Sequence, residues 1–194
     1  MKVQAYFERI PDLFLRSHNV SWEKYEETIY HMRRPVTHGN YHRVLQFVGG
    51  NPPEMALRDE RPYHELDRAL ARAKYPRAGQ LTRLDEFGHG GTEAATALLH
   101  FNNPAYPIWD ARTVRGLNVL GYPLSFVKEV SEEAIPAYQA YINTVQDLKD
   151  SVPFTYVPEK NYYLTRIIQM TLWQLGLEAP TNGARTPSPR VRSA

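Results

Sequence analysis

The sequence predicts an all-α fold. Three observations carry that expectation: apolar residues recur at helical spacing along nearly the whole chain, strand-type alternation is almost absent, and no long repeat is present. The 194 residues give room for one domain, or for two small lobes around a shared cleft.

Taken in order, the helices number roughly eight to ten. Val3, Tyr6, Phe7, Ile10 and Phe14 share a face, with Pro11 a point of kink or break. Ser21 is a good N-cap for a helix whose inner stripe is Trp22, Tyr25, Ile29 and Met32. Asn40 is placed to cap the next, with Tyr41, Val44, Leu45 and Val48 inward and Gly49-Gly50 as the stop. Pro62 suits the first turn of a helix carrying Tyr63, Leu66 and Leu70, ended by Pro76. Further on, Ile135, Tyr138, Ile142, Val145 and Leu148 form one stripe. Leu164, Ile167, Ile168, Leu172 and Leu175 form another, which Gly176 is expected to close. From Glu178 to Ala194 prolines and arginines replace large apolar residues, so 178–194 reads as a disordered basic tail beyond a domain of residues 1–177.

Composition narrows the function classes. With no cysteine, disulfide frameworks, Cys-ligated zinc, iron–sulfur clusters and thiol catalysis are excluded. No apolar run approaches the roughly 20 residues of a membrane helix, and the charged, amphipathic start is unlike a signal peptide. A cytoplasmic location is the resulting expectation.

Residues 81–121 carry the chemistry. Leu81, Leu84 and Phe87 fit the inner face of a short helix, cut off by Gly88-His89-Gly90-Gly91. Thr92 opens a second helix over Glu93–Phe101 with small or apolar Ala94, Ala95, Leu98 and Leu99, so 81–101 reads as a helix–hairpin–helix. Glycines there permit positive φ and let N–H groups approach an anion such as a DNA phosphate. An ordinary glycine-rich αα-turn has the same local pattern. Asn102–Trp109 is too rich in Asn and Pro for helix, and Ala111, Val114, Leu117 and Leu120 then restore helical spacing up to Gly121. Asp110 is therefore the predicted N-cap of that helix, flanked by Tyr106 and Trp109.

The combination of Gly91-Thr92, the small-residue run Glu93-Ala94-Ala95-Thr96-Ala97-Leu98-Leu99 and the segment Asn103-Pro104-Ala105-Tyr106-Pro107-Ile108-Trp109-Asp110 resembles the helix–hairpin–helix DNA glycosylase superfamily, in particular its 8-oxoguanine glycosylase-like branch. The likeness covers about 40 residues. It implies a glycosylase-like fold with two small helical lobes around a cleft, duplex DNA with a flipped nucleotide as partner, and action as a monomer. Two departures matter. Where bifunctional members carry a lysine after the Gly-Thr pair, this chain has Glu93, and its lysines at 2, 24, 74, 128, 149 and 160 all lie outside the hairpin. Asp110 also follows Pro107 at a spacing one residue longer than the family's motif. The resemblance thus implies a monofunctional enzyme that uses water and lacks amine-dependent strand cleavage. No cofactor or metal is expected, apart from a monovalent cation that hairpin backbone can hold.

Cleaving an N-glycosidic bond builds positive charge on the deoxyribose, which a nearby carboxylate stabilises while serving as base toward water. Asp110 is the candidate for that role; Glu93 either pairs or caps locally, or helps orient the water. Gly88, His89, Gly90, Gly91, Thr92 and Arg112 are the DNA-contact candidates, with Arg115 an alternative. His38, Asn40, Tyr41, Tyr106, Trp109 and Tyr162 are candidates for the pocket of a flipped base. His100 reads as a core histidine. A catalytically inactive DNA-binding module and a helical interaction domain without nucleic acid remain as alternatives. Charge is polarised: residues 61–128 hold nine basic and six acidic groups, whereas 129–160 hold two basic and six acidic, so the hairpin region is the positive part.

Overall fold

A computed structural model describes residues 1–18, 22–32, 35–49, 61–84, 87, 91–157 and 164–179. Regular structure among these is helical: α1 (Val3–His18), α2 (Trp22–Met32), α3 (His38–Phe47), α4 (Arg61–Ala71), α5 (Leu81–Leu84), α6 (Thr92–Asn102), α7 (Ala111–Leu120), α8 (Ala134–Ser151) and α9 (Leu164–Glu178), with no strand. The all-α expectation holds.

The amphipathic stripes become the core. Tyr6, Phe7, Ile10, Leu13 and Phe14 of α1 are buried, and the helix runs through Pro11 without breaking. Tyr25, Ile29 and Met32 of α2, and Tyr63, Leu66 and Leu70 of α4, turn inward as their spacing requires. Ala111 departs from its predicted stripe and is exposed, because it stands at the first position of α7. The buried side chains form a single cluster with members from every one of these helices.

Three local expectations are corrected. The cap of α3 is Thr37, whose hydroxyl accepts from the Asn40 N–H while the Asn40 side chain accepts from the Thr37 N–H; Asn40 is the reciprocal partner of a capping box. Gly176 does not close α9, which continues to Glu178. Glu178 belongs to that helix and not to a tail: its carboxylate takes Arg9 and Arg16 of α1, each at 2.8 Å. The expected Ser21 cap, Gly50 and residues 180–194 lie outside the described residues.

Gly176 has a different use. A methyl group there would overlap the Arg112 carbonyl, and one at Gly116 would overlap the Leu172 carbonyl. The α7 and α9 backbones touch at these two points, an approach closed to any larger residue. This seam fixes the start of α7 against the last turn of α9 and its middle against the middle of α9, beside the candidate site.

Candidate functional site

The chain between α6 and α7 is held by its carbonyls. Tyr138 and Tyr141 of α8 donate their hydroxyls to Pro107 O and Ile108 O, both at 2.9 Å, and Gln169 Nε2 of α9 donates to Ile108 O at 2.8 Å. The Trp109 N–H donates to Thr96 Oγ1 of α6 at 2.9 Å. Anchored from three helices, the segment delivers Asp110 to the N-terminus of α7. Its Oδ1 accepts from the Arg112 and Thr113 N–H groups at 2.8 and 2.9 Å, and the Thr113 hydroxyl donates to Oδ2. The predicted N-cap is therefore in place, and Gly121 ends the same helix at φ 94° as expected.

Asp110 is only 8% exposed, yet it lines a cavity of about 250 Å³. Glu93, from the first turn of α6, lines the same cavity, with Arg112 and Ile108 beside it; α1 and α3 add Ser17, Phe47 and Val48, and α9 adds Arg166, Gln169, Met170 and Trp173. Burial pushes the Glu93 carboxyl up to about 7; the Asp110 charge pushes the same way, and Arg112 opposes both. The sequence-predicted pair Asp110 and Glu93 is thus brought together, and Arg112 joins them with its guanidinium 5.0 Å from the Trp173 ring centre.

The lining residues from α9 were not anticipated. Arg166, Gln169 and Trp173 lie one to two turns apart on α9. Arg166 is 8% exposed, sits 5.1 Å from the ring centres of both Tyr25 and Phe47, and its Nε has no hydrogen-bond partner among the described residues. The Gln169 Oε1 is likewise buried without a partner. A signal for them does exist in the sequence. An arginine and a glutamine interrupt the most apolar helical run, Leu164–Leu175, and buried polar residues at such positions need a partner or a task.

The other candidates are placed elsewhere. Trp109 is fully buried and stacks on Tyr138, ring centres 5.4 Å apart, so it belongs to the core and does not line the cavity. Tyr106 is also fully buried, its hydroxyl donated to Tyr75 O. Asn40 is consumed by the α3 capping box, and Tyr41, 2% exposed, donates to Phe87 O at 2.7 Å. His38 lies against His42, ring centres 3.9 Å apart and tilted, away from the cavity lining. None of these five contributes to the site that Asp110 occupies.

Thr92 is a further correction. Its N–H donates to Lys128 O at 2.9 Å and its hydroxyl to Val127 O at 2.5 Å, and the residue is fully buried. Both donors are spent on the loop after α7, so Thr92 has none left for a phosphate. Gly91 has φ 74°, and a methyl there would overlap the Lys128 carbonyl. Gly88, His89, Gly90 and Tyr162, and with them most of any cation site on the hairpin, lie outside the described residues.

His100 is the core histidine its position suggested. Its Nδ1 donates to Tyr106 O at 2.5 Å, which leaves Nε2 to accept from the Tyr25 hydroxyl at 3.0 Å. Burial, reinforced by Arg166, brings it down to about 3, so it stays neutral. Among the described residues no group of three or more His, Asp or Glu side chains is arranged to hold a metal ion.

Comparison with family models, curated proteins and solved structures finds no match to this chain.

Proposed function

We propose that the chain is a monofunctional DNA glycosylase that hydrolyses the N-glycosidic bond of a flipped damaged or modified base. The observation that carries this reading is the pairing of Asp110 and Glu93 in one cavity that also presents two aromatic rings and two arginines. At about 250 Å³ the cavity lies just below the range typical of drug-sized ligands, a scale suited to one ring system.

The chemistry follows from the hydrogen bonds. An ionised carboxylate offers about four acceptor sites. Those of Asp110 already take two backbone N–H groups and one hydroxyl, which leaves Oδ2 free for one further contact. Held in this way, the carboxylate faces the positive charge that develops at C1′ and accepts a proton from the attacking water. Glu93, placed where the lysine of bifunctional relatives would stand, has no amine with which to form a covalent intermediate. A carboxyl poised near 7 can instead exchange a proton with the water or the departing base. Trp173 and Phe47 supply faces for a flipped ring.

The test is mass spectrometry of bases released from a panel of duplexes carrying damaged and phage-type modified bases, with Asp110→Asn as control. Release that leaves an abasic site, and its loss in the variant while duplex binding persists, is the expected result. Salt-dependent duplex binding with no release from any substrate would replace the enzyme with a binding module of the same fold.

A further inference from the structure

Heterolysis of an N-glycosidic bond separates two charges: the sugar becomes positive, and the base leaves with the bonding electron pair. The cavity holds groups of both signs, Asp110 and Glu93 from the N-termini of α7 and α6, Arg112 beside them, and Arg166 from α9. Arg112 is exposed and engaged with Trp173, whereas Arg166 is 8% exposed. It lies against the Tyr25 and Phe47 rings, meets no carboxylate in a salt bridge among the described residues, and leaves Nε without a hydrogen-bond partner among them. A guanidinium has five donors and is costly to bury unless something uses them. Among the described residues none takes the Nε donor.

We propose that Arg166 is a catalytic residue that receives the negative charge of the departing base, opposite the Asp110 carboxylate that faces the sugar. The inference rests on the glycosylase reading. In the step, the C1′–N bond breaks with its electron pair passing to the base, whose anion is held by the guanidinium. Water adds to C1′ and gives its proton to Asp110, and the base takes up one proton from the neutral Glu93 carboxyl. Proton transfer from Asp110 back to Glu93, through solvent, restores both groups, so the net reaction consumes one water. The tyrosine and phenylalanine rings hold the guanidinium in place and keep bulk water from screening it.

Two measurements test this. The first needs no turnover: binding of barbiturate, a planar ring anion at neutral pH, against neutral uracil of similar shape, followed by tryptophan fluorescence. The wild-type protein should favour the anion at least about tenfold, as expected for one charge-assisted contact. Arg166→Met, which suits the neighbouring aromatic rings, should lose that preference, and Arg166→Lys should keep part of it. The second is the dependence of single-turnover base release on the acidity of the leaving base. Arg166→Met should slow poor leaving groups about 10²-fold and good ones far less, whereas a purely structural defect would slow all alike. Equal binding of barbiturate and uracil by wild type, including no binding of either, overturns the proposal, as does a uniform rate loss in both variants. An Arg166-dependent anion preference in a protein that releases no base would overturn the glycosylase reading and leave the anion site standing.

Discussion

Two helix N-termini meet at the cavity, and they are built in opposite ways. At α7 the capping residue is Asp110, whose side chain satisfies two N–H groups of the first turn. At α6 the capping residue is Gly91, which brings no side chain; the entry is closed by a carbonyl from the loop after α7, and the carboxylate, Glu93, comes one residue after the helix begins. The same chemical group is therefore anchored in one case and, among the described residues, without a hydrogen-bonded anchor and desolvated in the other. Anchoring fixes a carboxylate in position. Desolvation without donors makes the second carboxyl one that gains and loses a proton near neutrality. In the proposed mechanism this difference makes Asp110 the positioned carboxylate that faces the sugar and receives the proton of water, and Glu93 the proton donor to the base.

The largest expected effect separates the two tasks of Asp110. Asparagine is as good an N-cap as aspartate, so Asp110→Asn should leave the melting temperature nearly unchanged while base release falls by about 10²–10⁴-fold. Asp110→Ala should lose activity and also about 1 kcal/mol of stability through the missing cap. An active Asp110→Asn protein would remove the carboxylate from the mechanism and leave α7 with only a cap.

Next comes the seam that presents α7 to the cavity. Gly116→Ala and Gly176→Ala each drive a methyl group into a backbone carbonyl, which cannot rotate away as a side chain can. A cost of about 1–3 kcal/mol or more is expected for each, read from urea denaturation midpoints. Because α7 must then move relative to α9, activity should fall more than stability alone explains. Gly121→Ala meets no neighbouring atom and disturbs only a left-handed cap, so it serves as the contrast.

A smaller effect falls on Glu93. Its folded-state value is raised, so the stability it contributes is fully present below about 4.5 and is lost as pH rises through about 7. The melting temperature of wild type, measured against Glu93→Gln, should therefore drop across that interval and run parallel above it. Base release should decline above about pH 7 as the neutral carboxyl is depleted, and Glu93→Gln should abolish that dependence. Identical pH profiles for the two proteins would make Glu93 an inert wall of the cavity.

How much of this was legible in the sequence depends on range. The helices, the N-cap at Asp110 and the stop at Gly121 follow from spacing within a few residues, and the α7 stripe Val114, Leu117 and Leu120 is buried as predicted. Features set by distant partners were not legible. Thr92 looks like a free donor at a helix start, but its partner is Lys128, 36 residues later. Gly176 looks like a stop because glycine ends many helices, and only the crossing of α7 turns it into a packing position. Aromatics near Asp110 in sequence, Tyr106 and Trp109, point into the core, whereas the cavity takes its rings from Phe47 and Trp173. Proximity along the chain was a poor guide to the pocket, since an N-cap residue and the residue before it face opposite sides of an extended segment.

The smallest effect concerns the contact between Arg112 and Trp173, which links the anchored terminus to α9. With the guanidinium 5.0 Å from the ring centre and Arg112 exposed, the pair should contribute about 0.5–1 kcal/mol. Arg112→Gln should lower stability by no more than that, and its backbone N–H would still cap onto Asp110. Its effect on Glu93 is more telling. Arg112 holds the Glu93 carboxyl down against burial and the Asp110 charge, so its removal should move the midpoint of the Glu93-dependent pH profile upward. An unmoved midpoint in Arg112→Gln would mean that the anchored and unanchored termini do not communicate through charge, and the division of roles would rest on burial alone.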